Sequence, residues 1–489
     1  MLNQLRFTLR HAWRLFFYGT IGVVLTLVVV FVLYLDSRAD LEAWHLADLD
    51  QEFTEDSDIS SFSEYLALED RLFDQLDERV YQKTGPVGND LINRYKRGSL
   101  SDPERWPRNW NRSYEMPLDA PRASVLLLHG LSDSPYSLRS LAERLHDSDV
   151  HTLGLRIPGH GTAPSGLVKV SWQDMAAAVR LAVLHLAEQN GDRPIYIVGY
   201  SNGAALAVQY VLSTLDDPSL PQIDRLVLMS PEIGITAAAA MAIWQARLGR
   251  LLGLDKLAWN DILPEYEPFK YGSFAVNAGD LPYRLTTEIQ SRITELQKSG
   301  KINAMPPVLA FSSVVDSTVL APALVSNLFN RMPAGGHELV LFDINAQARV
   351  EPLLKWSPDS MLEALEGIAD PTFTLKLVTN KTPSSRSVVE QIWKSGKEPD
   401  AVRELGLEWP KGIYSLSHVA LPFAPGDPVY GGEPSEPSPG VALGGLAWRG
   451  EKGVLKISPT AMLRLRWNPF YSYLEQSTLE FLELDKGSE

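Results

Sequence analysis

From Ala123 onward the chain alternates short apolar runs with longer amphipathic stretches, and few architectures accept that rhythm. Ser124 to Leu128, SVLLL, is a continuous apolar run of the kind that fills a strand covered on both faces. Tyr136 to His146 follows at helical spacing, then Val150 to Leu155 as a second strand. Trp172 to Gln189 sets Trp172, Met175, Val179, Ala182 and Leu186 on one helical face. Pro194 to Val198, PIYIV, is a third strand, Ala204 to Leu215 a helix, and Arg225 to Met229 a fourth strand. Strands separated by helices of this length need crossover connections, which predicts a mostly parallel sheet with helices on both faces. The rhythm pauses from Pro231 to Met305 and resumes with Val308 to Ser312, a helix near Ala321 to Arg331 and a strand at Glu338 to Phe342. It pauses again from Asn345 to Pro410, where Thr372 to Val378 reads as an extra strand. A Pro/Gly-rich loop, Pro422 to Gly440, and a terminal helix, Tyr471 to Leu484, complete the pattern.

The N-terminus follows a different rule. Leu15 to Leu35, LFFYGTIGVVLTLVVVFVLYL, carries no charge, and as a helix its length of about 32 Å spans a bilayer core. Arg6, Arg10 and Arg14 precede it, and Asp36, Asp40, Glu42, Asp48 and Asp50 follow. That asymmetry predicts residues 1–14 in the cytoplasm, a single transmembrane helix at 15–35, and the rest of the chain outside, periplasmic in a Gram-negative source. The competing reading is a cleaved signal peptide, with Ser37-Arg38-Ala39 as the cleavage site, but the apolar run exceeds the usual core of about 7–15 residues. Residues 36–120 read as an extracytoplasmic, polar neck, with helical spacing of Phe62, Tyr65, Leu66, Leu72, Leu76 and Val80. Within it ERWPRNWNR, Glu104 to Arg112, reads as an ordered loop packed on the main domain rather than touching lipid headgroups.

Composition removes several function classes. At 489 residues the chain holds one large domain with additions, or two domains. A net charge of -15 argues against nucleic-acid binding, which needs a basic surface. Without cysteine there is no disulfide, thiolate metal site or cysteine nucleophile. No His/Asp/Glu set has ligand spacing, so no metal is expected, and with no nucleotide-type Gly loop no cofactor is expected either. The oligomeric state stays open.

Chemistry enters at Gly199 to Gly203, GYSNG. The pattern G-x-S-x-G arises by accident in about one chain in six of this length, so its surroundings must decide. Here it follows the strand PIYIV directly and opens a helix. A serine at that turn is strained, and its hydroxyl is thrust out at the carboxyl edge of the sheet. The first strand ends in LLLHGL, where the Leu131 N–H, together with the Asn202 N–H at the start of the helix, is the expected oxyanion hole for a Ser201 nucleophile.

With His129-Gly130, Arg156 to Gly161 (RIPGHG) and Gly199 to Gly203 in this order, the chain resembles the α/β-hydrolase family over about Ala123 to Phe423. It is most similar to the monoacylglycerol lipase and carboxylesterase branch. The resemblance implies an α/β-hydrolase domain at 121–489 with a cap insertion at 231–305 and a second insertion at 345–410. It also implies an acid and then a histidine, in that order along the chain. Asp316, just past the strand VLAFS, is the expected acid, with Asp343 as runner-up. Of the nine histidines, His11 and His45 flank the apolar segment, and His146, His151 and His185 lie in or beside early elements. His129 belongs to the oxyanion loop, His160 to the P-G-H-G loop, and His337 precedes its strand at the wrong edge of the sheet. His418 remains as the expected base, in SHVALPFAPGDPVYG, which resembles the histidine loop of membrane-anchored bacterial members of this fold. The long gap between Phe342 and His418 departs from the family, which often places the histidine soon after that strand.

These expectations describe a membrane-anchored serine hydrolase of neutral, hydrophobic or lipid-like carboxylic esters. Cap residues Ile233, Ile235, Met241, Ile243, Trp244, Leu251 and Leu252 either line an acyl pocket or glue the cap to the sheet. The rival readings are a peptidase or thioesterase on the same triad, and a non-catalytic binding protein.

Overall fold

The computed structural model describes residues 2–234, 254–316, 321–355, 357, 365, 371–394, 398–445 and 457–485. The expected helix at Ile235 to Leu252, and with it most of the expected acyl-lining residues, lies outside them.

Twelve strands are present among the described residues. In chain order β1 is Tyr114–Met116, β2 Ala123–Leu128, β3 Val150–Leu155, β4 Ile195–Tyr200 and β5 Arg225–Met229. In the segment expected as a cap, β6 (Trp259–Asp261) and β7 (Phe274–Ala275) form a small antiparallel pair. Then come β8 Val308–Ser313, β9 His337–Phe342, β10 Phe373–Asn380, β11 Ser387–Trp393 and β12 Ala401–Glu408. The main sheet runs β1-β3-β2-β4-β5-β8-β9-β10-β11-β12. From β3 to β10 every pairing is parallel; β1 at one edge and β11 and β12 at the other are antiparallel.

Every residue of β2, β3 and β4 is buried, which is why these strands read as unbroken apolar runs rather than alternating ones. The pleat sends alternate side chains into two separate cores. Leu126, Leu128, Ile195 and Ile197 meet the helices Trp172–Asn190, Asn202–Asp216 and Val276–Ser299. Val125, Leu127, Tyr196 and Val198 meet Arg139–His146 and Tyr471–Phe481 on the opposite face. A mostly parallel sheet between two helical layers is the expected fold class.

The segment expected as a neck is packed on this domain. Its helix Phe62–Leu76 begins with a capping box, in which the Ser61 hydroxyl accepts from the Glu64 N–H. Phe53, Phe62, Tyr65 and Leu68 join the core under the sheet. Arg156, fully buried at the end of β3, is held by Glu52 (3.0 Å) and Glu69 (3.0 Å) of this segment. Trp106 of the ERWPRNWNR loop is buried edge-on against Phe269 (5.0 Å between centroids), as the packing reading expects.

The segment expected as a second insertion extends the sheet. After β9 the chain adds β10, which covers the expected strand at Thr372 to Val378, and then β11 and β12. It returns to its starting point, where the Asn345 N–H donates to the Tyr414 carbonyl (2.8 Å) and the Asn345 amide to the Ile413 carbonyl (2.8 Å). The insertion therefore opens and closes at the same corner, and the long gap before His418 leaves that residue where a histidine directly following β9 would lie.

The N-terminal helix, Leu2–Ser37, stands apart from both cores. Its stretch His11–Ser37 is long and apolar enough to cross a membrane, and none of it is buried in the protein.

Candidate active site

The carboxyl ends of the parallel strands converge on Ser201. Its φ of 55° and ψ of -116° lie in a region that L-residues rarely adopt. The turn survives because the surroundings over-determine it. The Ser201 N–H donates to the Met229 carbonyl (2.9 Å) on β5, and the Ser201 carbonyl accepts from the Glu232 N–H (3.2 Å). A Cβ at Gly199 would collide with the backbone of Ala204, and one at Gly203 with the carbonyls of Leu128 and His129. Glycine is needed there for close approach, since the helix must pack directly on β2.

Asp316 and His418 meet across the top of the sheet. His418 Nδ1 lies 3.0 Å from Asp316 Oδ2, and both residues are buried. The His418 ring packs 5.4 Å from that of Tyr200, the residue before Ser201. The expected acid and base are thus brought together beside the serine turn, 102 positions apart in sequence.

The alternatives go elsewhere. Asp343 accepts from the Thr379 hydroxyl (2.7 Å) and from the Ile344 N–H (2.7 Å), bracing the end of β10. His337 accepts from the Val308 N–H (3.1 Å) at the opposite edge of the sheet. His151 and His185 both bind Glu115 (2.7 and 3.0 Å), away from the serine turn.

The loop after β2 carries Leu131. His129 fixes it: Nδ1 pairs with the Gly130 carbonyl (2.9 Å) and Nε2 accepts from the Ile157 N–H (3.1 Å), so Nδ1 holds the proton. Burial pushes this imidazole well below its ordinary value, aided by the neighbouring His160. His160 is itself lowered to about 4, chiefly by burial. Both rings are neutral struts rather than proton carriers. Asn202, the other expected oxyanion donor, opens its helix, so its backbone N–H has no acceptor within that helix.

One residue here escaped the sequence reading. Glu232 sits just past β5, buried, with Oε2 unpartnered among the described residues. Burial first, and the charge on Asp316 second, push its carboxyl up to about 8. Its place beyond a strand at the carboxyl edge was a signal available in sequence, but a lone glutamate there reads as solvated until its burial is seen.

Residues 119–271 match the family described as serine aminopeptidase, S33. The match contains Ser201 and stops before Asp316 and His418. The chain is 24% identical over 214 residues to the lipase LipV of Mycobacterium tuberculosis (strain ATCC 25618 / H37Rv), covering 42% of this chain and 77% of that one. Among solved structures, one of the metagenome-derived lipolytic enzymes LipS and LipT is 20% identical, covers 48% of this chain and 87% of its own, and superposes with a TM-score of 0.35. A monoacylglycerol lipase of Paleococcus ferrophilus is 16% identical, covers 47% and 89%, and gives 0.36. The strand order and the strand–turn–helix around Ser201 are those of the α/β-hydrolase fold, and over part of its length the chain is similar to the serine aminopeptidase S33 family and to a lipase.

Proposed function

We propose that this protein is a membrane-anchored serine hydrolase of carboxylic esters with hydrophobic acyl groups, working through Ser201, His418 and Asp316. The observation that carries the reading is the His418–Asp316 contact beside the serine turn. With Nδ1 tied to the Asp316 carboxylate, His418 turns Nε2 to the serine as general base, and the carboxylate stabilises the imidazolium that forms. Ser201 Oγ adds to the acyl carbonyl, and the proton passes to His418 and then to the leaving alcohol. Water releases the acyl group by the same route in reverse. The backbone N–H groups of Leu131 and Asn202 receive the oxyanion, each contributing about 2.7–4 kcal/mol in the transition state.

Residues 15–35 anchor the protein, with Arg6, Arg10 and Arg14 inside and the catalytic domain outside the cytoplasm. An ester-bearing lipid is the substrate class that such an anchor favours. The serine aminopeptidase description of the matched family supports a second reading, a peptidase on the same triad. A fluorophosphonate probe decides the first point: labelling should vanish in Ser201→Ala, and a variant that still labels fully removes the assignment. Matched ester and amide substrates decide the second, with ester turnover expected and amide turnover negligible.

A further inference from the structure

The outer end of the apolar helix is fastened to the cap. The Lys256 ammonium donates to the carbonyls of Leu35 (3.4 Å) and Arg38 (3.0 Å) and pairs with Asp40 (2.9 Å). In return the Arg38 guanidinium donates to the carbonyls of Lys256 (2.7 Å) and Asn260 (2.9 Å). The grip is reciprocal and joins residues more than two hundred positions apart in sequence. It also suits the end of the helix, where the Leu35 carbonyl accepts from the Arg38 N–H (3.3 Å) and the negative end of the helix dipole attracts a cation.

The same cap segment reaches the active site at its other end. The Tyr271 N–H donates to the Ser132 carbonyl (2.8 Å), and Lys270 pairs with Asp133 (2.8 Å), both in the loop that carries Leu131. His45 packs edge-on against Trp259 (4.8 Å), within the first attachment, and bonds Ser273 (2.9 Å), just past the second, so the chain after the helix touches both ends of the segment. Leu263 is half-exposed, three residues past Asn260 and so at most about 10 Å from it along the chain. Leu46, nearby in the chain after the helix, is also exposed.

We infer that the cap edge at residues 255–263 lies on the bilayer surface, held there by the Arg38–Lys256 clamp, so that the oxyanion side of the active site opens toward lipid and takes its ester from the membrane. The inference rests on the reading of the N-terminal helix as a membrane span. Leu35 is the last residue of the apolar run, so an ammonium on its carbonyl stands where hydrocarbon gives way to headgroups. That zone is several ångströms deep on each side of the core, and the inference places Leu263 in it. A charged clamp with an exposed leucine beside it suits that boundary, since both basic side chains keep their charge among polar groups while their stems lie along apolar ones.

The chain has no cysteine, so single thiols can be introduced cleanly. Full-length Leu263→Cys, Val30→Cys and Leu353→Cys would each be labelled with an environment-sensitive fluorophore and reconstituted into phosphatidylcholine/phosphatidylglycerol vesicles containing a spin-labelled lipid quencher. Val30 lies in the apolar helix and Leu353 on an exposed turn of the second insertion. The expected result is quenching at positions 30 and 263 and none at 353. Quenching at 30 without quenching at 263 overturns the inference and leaves the anchor standing. Absence of quenching at 30 overturns the anchor, and the inference with it. Equal quenching at all three positions overturns the specific orientation. Adding Arg38→Gln and Lys256→Ala to Leu263→Cys should bring its quenching down to that of position 353. Turnover of a water-soluble short-chain ester should stay unchanged, because neither residue belongs to the catalytic machinery; unaltered quenching in that variant removes the clamp.

Discussion

At the scale of the residue, one histidine proposed for catalysis is distinguished from one built into the frame. Replacing His418 by Ala or Asp316 by Asn should lower kcat by about 10⁴-fold, with little further loss when combined with Ser201→Ala, because the three act as a unit. His337→Ala should retain full turnover and lose stability by about 1–3 kcal/mol, since the buried Val308 N–H loses its acceptor. Steady-state kinetics and denaturant melts of the same variants separate these outcomes. Glu232 gives a pH signature. Its carboxyl moves from an ordinary 4.5 to about 8 in the folded protein. The folded state therefore holds the proton more tightly across that window. This contribution to stability is fully present below about 4.5, falls as pH rises, and is gone above about 8. Glu232→Gln cannot ionise, so its stability relative to the parent should rise across that window and level off above it; parallel urea melts would show a constant difference if the carboxyl were solvated.

Elements meet here through contacts that tolerate little change. The helix Asn202–Asp216 lies so close to β2 that Gly203→Ala drives a methyl group into two backbone carbonyls. That substitution should cost more than about 4 kcal/mol or prevent folding. Gly300→Ala is the contrast: its φ of 74° caps a helix in open space, so only left-handed backbone strain of about 1–2 kcal/mol is paid. Chemical denaturation of the two variants should rank them in that order by a wide margin. The joint between the helix Phe62–Leu76 and the sheet depends on Arg156 with Glu52 and Glu69. Arg156→Ala strands two acidic side chains in or near the core and should cost about 3–5 kcal/mol. Limited proteolysis should then cut within residues 43–116 before the sheet domain is attacked, whereas an unchanged cleavage pattern would mean that apolar contacts alone hold the segment.

The whole molecule is a sheet domain with its N-terminal segment wrapped beneath it and an apolar helix rising from the cap side. Two cores lie on either side of the sheet, the larger under the helices Trp172–Asn190, Asn202–Asp216 and Val276–Ser299, and strands β10 to β12 widen the sheet without disturbing its active edge. If the substrate is a hydrophobic ester, each buried CH₂ of the acyl chain contributes about 0.8 kcal/mol. The value of kcat/KM should then climb with chain length from acetyl to medium chains and level off when the pocket is full. A flat or falling series in p-nitrophenyl esters would remove the lipid-like substrate while leaving the serine chemistry intact.

The parallel sheet, its strand positions and the serine turn were legible in the sequence because they are local. Unbroken apolar runs such as SVLLL and PIYIV report burial on two faces, and GYSNG reports a turn only glycine permits. Asp316 and His418, which the structure brings into contact, were expected as a pair from the chain order that the resemblance implies. Several features were not legible, and each depends on residues distant in sequence. The second insertion reads as a detour because its strands β11 and β12 sit at an edge, where one-sided burial weakens the apolar signal; β12 is largely exposed. Its return to Asn345 is set by two hydrogen bonds that no local pattern encodes. Residues 36–120 read as a polar neck because Glu52, Glu69 and Arg156 look solvated until they are seen to neutralise one another. Glu232 reads as an ordinary surface acid until the packing of β5, Ser201 and Thr286 encloses it. Apolar periodicity records which side chains leave water, and so it specifies strands and helices; which charges meet, and what they hold together, is decided only when distant segments of the chain pack against one another.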